Sequence, residues 1–257
     1  MLRTLRTIAL GLLPSAALAG HPLATDDAAT QGEGRSQLEL TAARGWDRPA
    51  PASVDDSAQA AASLARGLDD RVDLVIGVPT AWGRSRVDGA VVASSAGVAD
   101  AGVALKWRVL EAGGFRAAVK PALTFPIGDA RRGLGTGRPG YGLTLIASQA
   151  AGPVTVHANA GYAWADFARP EDAAGTRHGT WTVSLAAAAQ VAPALQLVAD
   201  VGTASPAARG AGAWPAYGIL GAVWTAGASL DLDVGVRGGL NDAETDFAFL
   251  AGAAWRF

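Results

Sequence analysis

The chain has 257 residues, half of them hydrophobic, with 17 % charged and a formal net charge of -2. That charge fraction is below the globular norm of roughly a quarter, and no basic excess exists to hold a nucleic-acid backbone. The absence of cysteine excludes disulfide scaffolds, cysteine zinc sites and thiol catalysis, and beyond the N-terminus no apolar run reaches the ~18 residues of a spanning helix.

Arg3 and Arg6 precede an apolar stretch from Thr7 to Leu13, and Ala17-Leu18-Ala19 follows as a small-residue cleavage site, so residues 1–19 read as a cleaved signal peptide. Residues 20–33 are polar, with glycine and the pair Asp26-Asp27, and read as either a periplasmic N-terminal segment or a lumen plug. From residue 34 to 257 the dominant period is two. In Gln37-Leu38-Glu39-Leu40-Thr41-Ala42 the even positions are apolar and the odd ones polar, as in a strand with one apolar and one wet face. Twelve such stretches are expected, near 34–48, 59–67, 70–82, 98–111, 114–126, 138–151, 153–168, 177–191, 194–203, 214–226, 228–239 and 245–257. Connections after even-numbered stretches are short, as at Ala112-Gly113 and Gly152, and those after odd-numbered ones are longer and rich in Gly, Pro, Asp and Arg. Outer-membrane barrels sort their connections in this way, with short periplasmic turns and long external loops. The fold class is therefore all-β, a transmembrane antiparallel β-barrel of about 12 strands, in a bacterial outer membrane whose lipids are its first partner.

Tryptophan placement tests that reading independently, because such barrels carry aromatic girdles at both lipid-water interfaces. Trp46, Trp82, Trp164, Trp181 and Trp214 fall beside long connections, and Trp107, Trp224 and Trp255 near the opposite rim, all in phase with the apolar face. The last strand ends on Phe257, also in phase, and resembles the C-terminal insertion signal read by the barrel-assembly machinery.

The wet face holds Glu39, Asp100, Lys106, Arg108, Arg116, Lys120, His157, Asn159, Asp200, Asp231, Asp233 and Arg237 as lumen-lining candidates. In a twelve-stranded cylinder the fifth strand lies opposite the eleventh, so Arg116 and Lys120 are expected to face Asp231 and Asp233 across a water-filled passage. The alternative is that these charges pair with neighbours inside a plugged barrel. Catalytic residues are not assigned: His157 shares a face with Asn159, but no serine is placed beside it by sequence. Gly133-Leu134-Gly135-Thr136-Gly137 lacks a phosphate-loop lysine and reads as a mobile external loop. Asp26-Asp27 and Asp55-Asp56 read as solvated acidic turns. No metal or cofactor is expected.

His21-Pro22-Leu23-Ala24-Thr25-Asp26-Asp27-Ala28, followed by Gly34 to Leu40, resembles the opening of the outer-membrane family labelled "putative meta-pathway of phenol degradation". Similar matches are Gly67-Leu-Asp-Asp-Arg-Val-Asp-Leu74, Gly97-Val-Ala-Asp100 leading into Leu105-Lys106-Trp107-Arg108, Leu123-Thr-Phe-Pro126-Ile-Gly-Asp129, His157-Ala-Asn159-Ala-Gly161-Tyr162, and the terminal Phe257. The resemblance implies a closed barrel that passes small aromatic or other hydrophobic solutes. Two further readings stay open: a closed structural or interaction barrel acting through its external loops, and an outer-membrane lipid hydrolase.

Overall fold

The computed structural model describes residues 20–257, so the expected signal peptide at 1–19 lies outside the described residues. The elements are β1 (Ser36–Ala50), β2 (Ser53–Gly67), β3 (Val72–Val87), β4 (Ala90–Val98), β5 (Ala101–Ala112), β6 (Phe115–Phe125), a 3-10 turn (Ala130–Arg132), β7 (Gly140–Ala151), β8 (Val154–Ala165), the short helix α1 (Pro170–Gly175), β9 (Gly179–Ala192), β10 (Leu195–Ala204), β11 (Ala216–Thr225), β12 (Leu230–Gly239) and β13 (Phe247–Arg256). All pairings are antiparallel between neighbours, and β1 closes the sheet against β13 from Gln37 with Arg256 to Trp46 with Phe247. The backbones of Ser36 and Phe257 exchange both hydrogen bonds, at 2.8 and 2.9 Å, so the final residue completes the ring.

Thirteen segments make twelve strands. β3 pairs with β5 from Val72 to Gly77 and with β4 from Thr80 to Val87, while Ala99 N–H still donates to Pro79 O at 2.9 Å. β4 and β5 are thus one strand interrupted at Ala99 and Asp100. The result is a closed 12-strand antiparallel barrel.

The inside-outside alternation follows the sequence period. Leu40, Leu105, Leu143, Leu185, Leu220 and Val234 are exposed on the outer face, whereas Glu39, Lys106, Lys120 and Asp200 are buried inside it. Aromatic residues gather in two rows. At the rim where β13 ends, Trp255 pairs across β1 and β12 with Leu38 and Leu230, and its ring meets Phe257 at 4.9 Å. At the opposite rim Trp46 stacks on Phe247, Tyr141 on Trp164, and Tyr162 against Trp181. Trp107 and Trp224 lie in the first row. Trp214 departs from expectation: it precedes β11 and belongs to the loop 205–215.

Two of the expected long loops are strands. Residues 49–58 and 83–97 extend β1, β2, β3 and β4 and turn at 51–52 and 88–89, so connections after the first and third strands are short. The second of these turns is Asp88-Gly89, with φ of 51° and 79°, the left-handed pair that closes a tight hairpin. The alternation fails there for a physical reason. Above the lipid both faces of a strand meet water, and nothing forces every second residue to be apolar.

The wall is consequently tall on the β1–β4 side, and on the other side the loops 126–139, 166–178 and 205–215 brace one another. Arg169 donates to Ala130 O, Arg177 N–H to Ala207 O and Arg209 N–H to Gly175 O. The segment 133–137 is not a free loop: Leu134 is 2 % exposed, and Thr136 N–H donates to Asp100 at 2.8 Å.

Depth in the membrane sets a testable difference. Val234 sits at mid-strand on the lipid face and Val92 on the protruding β4. Val234→Lys is expected to destabilise the barrel by about 2–4 kcal/mol and Val92→Lys by under about 0.5 kcal/mol, measured by denaturant unfolding in lipid vesicles.

Candidate functional site: a lumen held by the N-terminal segment

Residues 20–33 lie inside the barrel. Their hydrogen bonds reach β1, β3, β5, β6, β7, β10 and β12, a set of strands that surrounds the axis, so the segment crosses the lumen. Each anchor uses a polar residue of the wet face.

His21 opens the path. Its N–H donates to Glu39 Oε1 at 3.0 Å and its Nδ1 contacts Asp233 Oδ1. Pro22 then presses against the wall where Gly221 and Gly235 face it, and a Cβ at those positions would lie 2.6 and 2.9 Å from its ring. Only glycine admits the segment there. The backbone N–H groups of Ala24 and Thr25 both donate to Asp200 Oδ2 at 2.8 Å, and the Thr25 hydroxyl donates to Oδ1 at 2.9 Å. Tyr217 adds a weaker donor to the same carboxylate at 3.3 Å. Asp200 is thereby a binding post for backbone rather than a free lumen charge.

Asp26 is the centre. It is 1 % exposed, and its two oxygens accept from Lys106 Nζ at 2.9 Å and Lys120 Nζ at 2.7 Å. The Asn159 amide, in the orientation that satisfies both its groups, donates to Asp26 O at 3.0 Å and accepts from Asp26 N–H at 2.6 Å. Burial pushes the Asp26 carboxyl up, but the two lysines outweigh it and hold the group below the ordinary carboxylate range. Asp27 lies 3.8 Å from Lys106 and brings the cluster close to neutrality. Beyond it, Ala28 packs on Ala118 and Ile146, and its N–H donates to Ser148 Oγ at 2.9 Å. Gln31 N–H finally reaches both oxygens of Asp73, at 3.1 and 3.0 Å.

The remaining wet-face residues have other partners. Arg108 donates to Asp70 O at 2.7 Å and meets Glu111 at 3.0 Å, and Arg116 meets the same Glu111 at 2.7 Å. Asp231 pairs with Arg256, and Arg237 pairs with Glu244 at 3.0 Å while lying over the Tyr217 ring. Asp100 holds the external loop through Gly128 N–H and Thr136 N–H. The expected confrontation of Arg116 and Lys120 with Asp231 and Asp233 across open water therefore does not occur. Lys120 and Asp233 each bind the N-terminal segment, and Arg116 and Asp231 each take a neighbour on the barrel wall. Local pairing wins because a buried charge without a close partner costs several kcal/mol, as an order of magnitude.

His157 does have a serine beside it, contrary to the sequence expectation. Ser148 Oγ lies 2.8 Å from His157 Nδ1, the two being directly opposite on β7 and β8. Ser148 accepts from Ala28 N–H, which leaves its own hydrogen for His157, and the pair serves as an anchor of the segment. Sequence reasoning missed the anchors Asp73 and Ser148, and also Asp70, whose carbonyl accepts from Thr30 Oγ1 at 2.8 Å. The Asp55-Asp56 pair, expected as a solvated turn, lies within β2, where Asp56 contacts Arg44 and Arg86.

The family model described as "Putative MetA-pathway of phenol degradation" matches residues 21–257. Among solved structures, the COG4313 outer membrane channel from Pseudomonas putida F1 superposes with a TM-score of 0.70 at 16 % identity, covering 90 % of this chain and 98 % of that one. A NanC porin superposes at 0.57 and 8 % identity, over 85 % of this chain and 98 % of its own, and a KdgM porin at 0.55 and 6 %, over 85 % and 99 %. These likenesses show the fold of bacterial outer-membrane barrels. No curated protein matches the chain significantly.

Removing the central carboxylate leaves the buried Lys120 without its ion-pair partner and Lys106 with only Asp27, 3.8 Å away. Asp26→Ala is expected to cost about 3–5 kcal/mol of segment binding, read as new protease cleavage within residues 20–33 while the barrel keeps its heat-resistant migration. Because the folded-state pKa of Asp26 is lowered, its contribution is complete above the ordinary carboxylate range and is lost as pH falls through that lowered value. The same cleavage assay across acid pH is expected to stay protected at pH values where free carboxylates already protonate.

Proposed function

Since the chain belongs to the MetA-pathway of phenol degradation family, we propose that it is an outer-membrane passage protein for small aromatic or other hydrophobic solutes, closed at rest by residues 20–33. The observation that carries this reading is the nature of the closure. The segment is held mainly by hydrogen bonds and ion pairs to Asp200, Lys106, Lys120, Asp73 and Asp233, with smaller apolar contacts at Pro22 and Ala28. Polar anchors of this kind fix one position accurately while contributing less net stability than apolar packing of equal volume. Such an element suits reversible displacement better than permanent filling.

The solute class rests on the family description alone, and the passage role is supported by the description of the superposed channel. Passage proceeds by diffusion along the wet face once the segment yields. The side chains that bind the segment are then the ones a solute meets: an amide at Asn159, ammonium groups at Lys106 and Lys120, and carboxylates at Asp200 and Asp233. A phenolic hydroxyl finds both donors and acceptors among them.

A hydrolase reading draws on the Ser148 and His157 contact. It is disfavoured by burial, since Ser148 is 5 % exposed and covered by the Ala28 N–H it binds. Conductance in planar bilayers tests the passage reading. Purified wild type is expected to conduct weakly, and a variant lacking residues 20–33 several times more strongly; equal and negligible currents from both would sink the proposal. Uptake of labelled phenols by a deletion strain tests the solute class separately, with unchanged uptake removing it.

A further inference from the structure

Charge on the outward face of the barrel is confined to one sector. Among the described residues, strands β5 to β13 carry no charged side chain on the lipid-facing side between the two aromatic rows. On β1 to β3 the same face presents Arg44, Asp56, Arg84 and Arg86 near the outer row, together with Trp46 and Trp82. The register places Trp46, Asp56 and Arg84 in one line across three strands, with Arg44 and Trp82 one step below and Arg86 one step above.

The three guanidinium groups are organised. Arg44 lies 5.6 Å from the Trp46 ring centroid and 4.7 Å from that of Trp82, and Arg84 lies 5.3 Å from Trp82. Asp56 contacts Arg86 directly and Arg44 at 3.7 Å. One carboxylate thus pairs with two of the three cations, Arg84 has no carboxylate partner, and its buried Nε has no hydrogen-bond partner. A guanidinium stacked on an aromatic face keeps its N–H edge free for a bidentate acceptor.

Height identifies that acceptor. Leu38 on β1 pairs with Trp255 of the inner aromatic row. Arg44 and the Trp46 line lie six and eight residues further along, about 20 and 26 Å at the usual strand rise. A tilt of about 40° reduces these to roughly 15 and 20 Å of height, so Arg84 lies level with the outer aromatic row, Arg44 one step beneath it and Arg86 one step above, where the apolar band gives way to lipid headgroups.

We propose that Arg44, Arg84 and Arg86 form a binding site on the outer wall for the phosphorylated headgroup of an outer-leaflet glycolipid, with Trp46 and Trp82 covering the adjoining sugar and acyl carbons. The occupant is lipid-borne because the site faces sideways into the membrane rather than into the lumen or the external mouth. An excess of two positive charges fits a doubly phosphorylated headgroup.

The test is native mass spectrometry of the intact purified barrel in detergent with bisphosphorylated lipid A. Wild type is expected to retain the lipid, and the triple variant Arg44→Gln, Arg84→Gln, Arg86→Gln to retain it about tenfold more weakly. Lipid A stripped of its phosphates is expected to bind wild type as weakly as that variant binds the intact lipid. Arg131→Gln with Arg177→Gln and Arg209→Gln, in the external loops, serves as a charge-matched control and is expected to change nothing. If the triple variant loses its heat-resistant migration, Arg44→Gln and Arg86→Gln are measured singly, each expected to weaken retention about threefold. Undiminished retention by the arginine variants, or equal retention of the dephosphorylated lipid, overturns the proposal. Displacement by millimolar inorganic phosphate alone overturns it too, by assigning the site to a free anion.

Discussion

Every other feature of this molecule depends on one requirement: backbone N–H and C=O groups placed in hydrocarbon must all find partners within the protein, because lipid offers none. A sheet meets that requirement only by closing on itself. Here closure is the ten-residue ladder between β1 and β13, finished by the reciprocal bonds of Ser36 and Phe257. Once the ring closes, each strand has one face in lipid and one in an enclosed space. The sequence period of two is the record of that division, and so is the low overall charge, since one residue in two along each span must be apolar.

The enclosed face follows a different rule. A lumen filled by the chain's own N-terminal segment has limited water to solvate the polar residues lining it. Asp26 between Lys106 and Lys120, and Asp200 beneath three donors, show how the segment replaces solvent for the wall, and the wall for the segment. Neither partner is satisfied alone without water entering. Binding of the segment and hydration of the lumen are therefore alternatives, which is why a polar plug and a polar passage can be built from the same side chains.

How much of this was legible in the sequence depended on distance along the chain. Strand faces, the two aromatic rows and the lumen side of residues such as Lys106 and Asp200 came from local periodicity. The Ser148 and His157 contact was within reach as well: a two-residue turn at Gly152-Pro153 pairs Ala151 with Val154, and counting outward by threes puts 148 opposite 157. What periodicity did not reach were the upper parts of β1 to β4, where both faces are wet, and the partners of the N-terminal segment. Asp26 meets Lys106 and Lys120 only because a closed cylinder returns distant strands to one axis, and no spacing in the chain encodes that.

The two aromatic rows also have a meaning for the bilayer as a whole. On β13 they are marked by Phe247 and Trp255, eight residues apart, or ~26 Å along the strand, which a tilt of about 40° reduces to roughly 20 Å of vertical height. An average bilayer has a hydrocarbon thickness near ~30 Å, and the bacterial outer membrane is thinner than average. The barrel is therefore matched to a thin membrane and carries a hydrophobic mismatch toward a thick one. In a thicker bilayer the lipids around it would have to compress at every strand, a deformation that sorts the protein by membrane thickness independently of any targeting signal.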